Sequence, residues 1–254
     1  MAITFLSLTN ELLRRLNEVA LTTDTFSTAK NIQAIAKDAI NSSIREILQD
    51  GHQFPFLKTT TTQPMTAGTG PYSFPSDLAS VDWDTFYIKE LSSASNTPMA
   101  LPTISFDNYT QNYRTIEDSA GSSGRTAPTF VYQTAELKFG VTPIPDAAYV
   151  IEYVYYKFPN ELGVNADTGA ATNGTDSTHD APIIPERFKY IIIDGAMVYM
   201  MRFRSNEQSA QIHQQKFRDG IKSMRRLLLD DPLVMRSTMI SRSRTTSNVL
   251  SVDS

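Results

Sequence analysis

The chain has 254 residues, 41% of them hydrophobic and 20% charged, with a mean hydropathy of -0.26, which gives core enough for one large domain or two smaller ones. Cysteine is absent, which excludes disulfides, thiolate catalysis and zinc–thiolate sites and suits assembly in the cytosol. The net charge of -4 is unevenly spread: residues 183–254 carry 12 Lys/Arg against 7 Asp/Glu, leaving residues 1–182 at -9, and so acidic a body argues against sequence-independent DNA binding.

The first residues lack a basic segment and turn polar at once, so no signal peptide is expected. Leu8, Leu12, Leu13, Leu16, Val19 and Ala20 recur at three- and four-residue spacing and predict a helix, with Ser7 or Thr4 as N-cap. A polar connection over residues 21–26 leads to a second helix carrying Ile32, Ile35, Ala36, Ala39, Ile44, Ile47 and Leu48, which Asp50-Gly51 ends. The two make a helical hairpin.

From Phe54 the texture changes to short β-branched runs punctuated by Gly and Pro. Strands are expected over residues 58–63, 84–89, 129–133, 136–141 and 149–158, with a short helix over 104–113 and a Gly/Ser loop over 119–125. In the last strand Val150, Glu152, Val154 and Tyr156 alternate with Ile151, Tyr153 and Tyr155, giving one apolar and one partly apolar face. Such a pattern suggests a small antiparallel sandwich or barrel. Residues 160–182 are small and polar and are expected to form a long loop.

Pro185 sits where helices start, and Phe188, Ile191, Ile192, Ala196, Tyr199 and Phe203 give the next helix an apolar face. Its longest apolar run, residues 190–201, is broken by Asp194 and is too short to span a bilayer. Ser205-Asn-Glu-Gln208 matches a capping box for a further helix, whose seam is Ala210, Gln214, Phe217, Ile221, Met224 and Leu228. Asp230-Asp231-Pro232 ends it, and the remaining chain lacks a sustained period. The expected class is therefore α+β. A helical bundle is built from residues 1–53 and 183–232, a β domain over 54–182 is inserted between them, and an extended tail covers 233–254.

No constellation of catalytic residues stands out. His52, His179 and His213 are scattered and give no metal-ligand spacing. Asp167-Thr168-Gly169 occurs once, in a polar loop, where aspartic-protease chemistry needs an opposed second copy. Asn165, Asp167, Asn173, Asp176 and Asp180 lack the spacing and closing glutamate of a calcium loop. Gly68-Thr-Gly-Pro has no following Gly-Lys-Ser/Thr. Asp82 and Asp84, flanking Trp83, are the sole carboxylate pair of interest, and a solvated strand edge is the better account of them. The expectation is a protein without enzymatic activity, metal or cofactor. The tail reads differently: Met235, Met239, Ile240, Val249 and Leu250 are apolar anchors in a strip holding Arg236, Arg242 and Arg244, a pattern that suits folding into a partner's groove.

Three stretches resemble one family. Leu8-Thr-Asn-Glu-Leu-Leu-Arg-Arg-Leu-Asn-Glu-Val19 is similar to the first helix of head-to-tail adaptor proteins of tailed bacteriophages, including the tail tubular protein A group. Gly124-Arg-Thr-Ala-Pro-Thr-Phe-Val-Tyr132 and the run from Lys138 through Pro-Ile-Pro-Asp146 to Phe158-Pro resemble the β region of these proteins. Ile184-Pro-Glu-Arg-Phe188, Ala196, Tyr199 and Arg202-Phe203 resemble their penultimate helix. The resemblance implies a virion protein assembled in the host cytoplasm. It would form a ring of identical copies, expected to be twelve, beneath the portal in the neck. The helical part (Leu12, Leu16, Ile35, Phe188, Tyr199, Phe217 and Met224) would pack the ring wall, and the tail would reach the portal. The β domain would face the next component, a nozzle, tail terminator or tube protein, and DNA would pass through without specific binding or membrane contact. The alternative is another tail or baseplate part, such as a completion or fibre-attachment protein.

Overall fold

The computed structural model describes residues 3–50, 53–91, 97–163 and 180–228. Helix α1 (Phe5–Arg15) starts at Thr4, where Ser7 N donates to Thr4 Oγ1 (3.2 Å) and Thr4 N donates to Ser7 Oγ (2.9 Å), so both exposed donors of the first turn are satisfied. Leu8, Leu12, Leu13 and Leu16 are buried. The apolar face does not continue to Val19 and Ala20 as the spacing suggested. Asn17 adopts a left-handed φ of 57°, which ends the helix and leaves Val19 76% exposed. The following connection holds a one-turn helix, α2 (Thr23–Phe26), that sets Phe26 edge-on against Phe5 at 5.1 Å. Helix α3 (Ile32–Gln49) buries Ala36, Ala39, Ile40, Ser43, Ile44, Ile47 and Leu48. Gly51, its expected terminator, lies outside the described residues.

A 3-10 turn (Pro55–Leu57) leads into β1 (Lys58–Met65), β2 (Leu78–Glu90), β3 (Met99–Ala100) and β4 (Thr103–Ile104). Helices α4 (Phe106–Asn112) and α5 (Arg114–Ala120) follow, then β5 (Phe130–Gln133), β6 (Phe139–Thr142) and β7 (Tyr149–Lys157). Strand order is β1-β7-β2-β3 in one sheet, with every pair antiparallel, and β4-β5-β6 in the other. The β4–β5 pair is parallel, unlike the all-antiparallel expectation, because α4 and α5 carry the chain back between these strands. Helix α5 and a 3-10 turn (Gly121–Gly124) also replace the expected Gly/Ser loop. Strand β7 runs between β1 and β2 and points Tyr149, Ile151, Tyr153 and Tyr155 inward.

The two sheets share one core centred on Phe86, Phe139 and Tyr153, with Phe86–Tyr153 rings 4.8 Å apart and Phe139–Tyr153 rings 5.5 Å apart. Phe86 reaches it from an irregularity in β2: pairing jumps from Asp82↔Val154 to Tyr87↔Glu152, so four residues face Tyr153 alone. Thr85 repairs the ladder there, its hydroxyl accepting from Val154 N (3.0 Å) and donating to the Asp82 carbonyl (2.6 Å).

Helix α6 (Lys189–Phe203), preceded by a 3-10 turn (Glu186–Phe188), packs against α1, α3 and α7 (Glu207–Leu228). Ile192, Ile193, Gly195, Ala196, Met197, Val198 and Met200 are buried, so the helix is apolar almost all round and sits at the centre of the bundle. The expected face is corrected at its C-terminal end: Phe203 is 57% and Tyr199 36% exposed, since a helix surrounded by three others has no single apolar stripe. Helix α7 is capped by Asn206, whose Oδ1 accepts from Ser209 N (3.1 Å), one residue later than the expected Ser205, which instead takes φ 57° to turn the chain. Ala210, Phe217, Ile221 and Met224 are buried and Gln214 and Leu228 are half-buried along its seam.

Gly195 makes the α3–α6 crossing possible. A Cβ there would lie 2.2 Å from Ser43 Oγ and 2.7 Å from the Phe217 ring, while Ser43, fully buried, donates to the Ile192 carbonyl at 2.8 Å. Gly195→Ala should therefore destabilise the protein by about 1–3 kcal/mol, read as a lowered urea midpoint at unchanged slope. An unchanged midpoint would mean that the crossing is loose.

Both flanks of residues 164–179 are pinned to the bundle. Asn41 exchanges two hydrogen bonds of 3.1 Å with the backbone of Leu162, Gly163 N donates to Asp180 Oδ2 (2.7 Å), and Phe5 N donates to the Asp180 carbonyl (2.7 Å). Replacing residues 164–179 with a short Gly/Ser linker should shift Tm by less than about 3 °C in calorimetry, because loop length enters the folding free energy only logarithmically. A larger fall would show that these residues support the core.

Candidate assembly surfaces

The polar clusters of the interior are structural. Asp194 Oδ1 meets His213 Nδ1 (3.1 Å) and Arg15 Nη1 (3.5 Å), tying α6 to α7 and to α1. Arg204 donates to the Leu16 carbonyl (3.2 Å) and to Glu18 (2.5 Å), placing a cation at the C-terminus of α1, where the helix dipole favours it. Glu117 accepts from Tyr109 (3.0 Å) and Thr142 (2.6 Å), fastening α4 and α5 to the second sheet. Tyr109 and Tyr132 stack at 3.9 Å, and burial holds both phenols above their ordinary pKa. Burial likewise pushes Tyr153 and Tyr155 up to about 12. The Glu117 contact escaped the sequence reading because its residue fell beside an expected loop.

Asp82 accepts from Lys58 Nζ (3.3 Å), whereas Asp84 is exposed, so each has its own environment. Among the described residues no three of His, Cys, Asp and Glu gather as a metal would require, and no helix is long and apolar enough to cross a membrane. His52, His179 and Asp167-Thr168-Gly169 lie outside the described residues, as do Met235, Arg236, Met239, Ile240, Arg242, Arg244, Val249 and Leu250. Of the helical set, Leu12, Leu16, Phe188, Phe217 and Met224 are buried in the bundle and Ile35 is half-buried against it. Tyr199 stands at the surface and donates to Glu46 Oε2 (3.1 Å).

The outer faces carry two clefts and several exposed apolar side chains. Helix α7 buries one stripe and exposes Ile212 (54%) and Leu227 (66%) on the others. Its C-terminal half carries Lys216, Arg218, Lys222, Arg225 and Arg226 against Asp219 alone. A cleft of 390 Å³ opens between the end of α3 and this half, with Phe217 and Ile221 in its floor, Glu46 and Asp50 on one wall and Arg218, Lys222 and Arg225 on the other. A second furrow, of 490 Å³, runs beside α1 between Leu8, Glu11, Glu186 and Ile193. On the β region, the β5–β6 turn closes through Thr134 N to the Lys138 carbonyl (2.8 Å) and lifts Leu137, 73% exposed, at a left-handed φ of 56°. None of these features was legible as a site in the sequence, since each joins residues from distant segments or depends on a local backbone angle.

The molecule is thus a helical bundle joined to a small two-sheet region, with polar clusters that tie its elements together and clefts and apolar side chains on its outer faces. The chain belongs to the SU10 adaptor protein family, whose sequence model matches residues 3–242, and is thus a structural head-tail adaptor of a bacteriophage. Comparison with curated proteins gives no match.

Leucine at position 137 carries a backbone strain that asparagine tolerates better. Leu137→Asn should raise stability by about 0.5–1 kcal/mol in urea titration, and a lowered midpoint would show that Leu137 packs on the fold.

Proposed function

We propose that the protein closes into a ring of identical copies beneath the portal, most simply twelve, extending the DNA channel and joining head to tail as a virion neck component. The reading is carried by the family match, which spans residues 3–242 and so runs past the last described helix into the tail. Met235, Arg236, Met239, Ile240 and Arg242 fall within that match. The tail from residue 233 docks on the portal, its apolar anchors entering a groove and its arginines meeting acidic rims, with Arg244, Val249 and Leu250 extending the contact. The bundle of residues 1–53 and 183–232, packed through Leu12, Leu16, Ile35, Phe188, Phe217 and Met224 and carrying Tyr199 on its surface, forms the ring wall. The β domain of residues 54–182 meets the next component, a nozzle, terminator or tube protein, in the manner expected of the tail tubular protein A group. Repetition of one heterologous interface closes such a ring without further instruction. The charge of -9 over residues 1–182 suits a wall that DNA passes without adhering.

Deleting residues 235–254 should leave the circular dichroism spectrum and Tm unchanged while abolishing co-sedimentation with the portal of the same phage. Full retention of portal binding by the truncated protein would remove the tail from this role. Binding of the intact protein to a fibre or tube protein in place of portal would assign it to a different tail position.

A further inference from the structure

The cleft between α3 and α7 has an unusual distribution of charge. Arg218, Lys222 and Arg225 stand at i, i+4 and i+7 along one edge of α7, in line above the apolar floor of Phe217 and Ile221. Among the described residues, Arg218 and Arg225 make no hydrogen bond or ion pair, and Lys222 meets only Asp219, in its own helix, at 3.5 Å. The chain leaves the described structure three residues beyond Arg225, and the next six residues are Leu-Asp-Asp-Pro-Leu-Val. These hold two carboxylates and three large apolar side chains without a base. Residues 235–252 hold three arginines and no acid, so like charge keeps the rest of the tail from this wall.

The composition of this segment also disfavours a continuation of α7. Asp230 and Asp231 would stand at the C-terminal, negative end of α7, where carboxylates are disfavoured. Pro232 disfavours helical geometry at Asp231 and cannot itself continue the ladder. Ile221 lies about 10 Å back along the axis from Leu228, and six extended residues reach about 20 Å, enough to reverse and cover it.

We propose that residues 229–234 fold back into this cleft in the free subunit, Asp230 and Asp231 facing Lys222 and Arg225 while Leu233 and Val234 cover Phe217 and Ile221. The segment is then a latch that lays the start of the tail along α7. Resting on the portal-docking reading above, its release would be coupled to portal binding, since the same strand of chain leads directly into Met235.

Because the chain has no cysteine, the latch is tested by placing one in each wall of the contact. The Glu46→Cys/Val234→Cys protein, dilute and without portal, is exposed to oxidised glutathione and followed on non-reducing gels. An intrachain disulfide should form at least tenfold faster than in the same protein carrying Asp230→Asn and Asp231→Asn. Equal rates in the two proteins would overturn the latch, and so would disulfide-linked dimers in place of intrachain bonds, which would put the segment in another copy's cleft. Moving the first cysteine to Arg218 repeats the comparison from the opposite wall, with Lys222 and Arg225 left in place, should the Glu46 variant fold poorly. Portal binding plays no part in this readout, so a failed latch leaves the adaptor reading standing and a failed portal experiment leaves the latch standing.

Discussion

Gly195 holds α3 and α6 so close that no methyl group fits between them, and most of the bundle follows from that distance. With Ser43 donating into the backbone of α6 and Phe217 lying across the same glycine, three helices meet at one point. Small side chains continue the contact: Ala36, Ala39 and Ala196 are buried at or near zero exposure. Gly220 plays a similar part for α7, since a Cβ there would stand 2.9 Å from Ile191. The close approach is what lets α6 lose solvent on nearly every side, and hence what leaves the surfaces of α1, α3 and α7 as the outside of the bundle.

The same packing links the helical and β regions. Phe54 and Leu57 belong to the bundle core although they precede β1, and Tyr156 and Phe158 pack on it from the end of β7. The strands that enter and leave the β region are thus paired with each other and rooted in the helices, as the Lys58↔Tyr156 register shows. A force applied to the β region reaches the bundle through two adjacent strands, which suits a part that joins other proteins.

Much of this architecture was legible in the sequence. The amphipathic helices α1, α3 and α7 announced themselves by spacing, and α1 by its Thr4 cap as well, because each has one wet and one dry side. Helix α6 was legible as a helix but not in its orientation: when three neighbours cover it, periodicity carries no direction, and so Tyr199 and Phe203 were placed inward. Strand β7 was read correctly from its alternation, whereas the irregular stretch of β2 and the parallel β4–β5 pair were not, since neither leaves a periodic trace. The cap shift from Ser205 to Asn206 turned on one backbone angle. The outer clefts were invisible for a simpler reason. Their walls come from residues such as Glu46 and Arg218, which only the fold brings together.

The central position of α6 also has a consequence in time. Leu8, Leu12 and Leu13 of α1 and Ile40 and Ile47 of α3 are buried in the finished subunit, and α6, which packs on both helices, is made some 150 residues later. At ordinary rates of synthesis the apolar faces of the first hairpin wait about 10–30 s on the ribosome before their partner emerges. During that interval the hairpin is a sticky nascent segment, open to chaperones and to copies on neighbouring ribosomes of the same message. Discontinuity of the bundle therefore makes the emergence of α6 the step that lets the first two long helices bury their apolar faces, so a chain interrupted before α6 leaves the bundle without its centre.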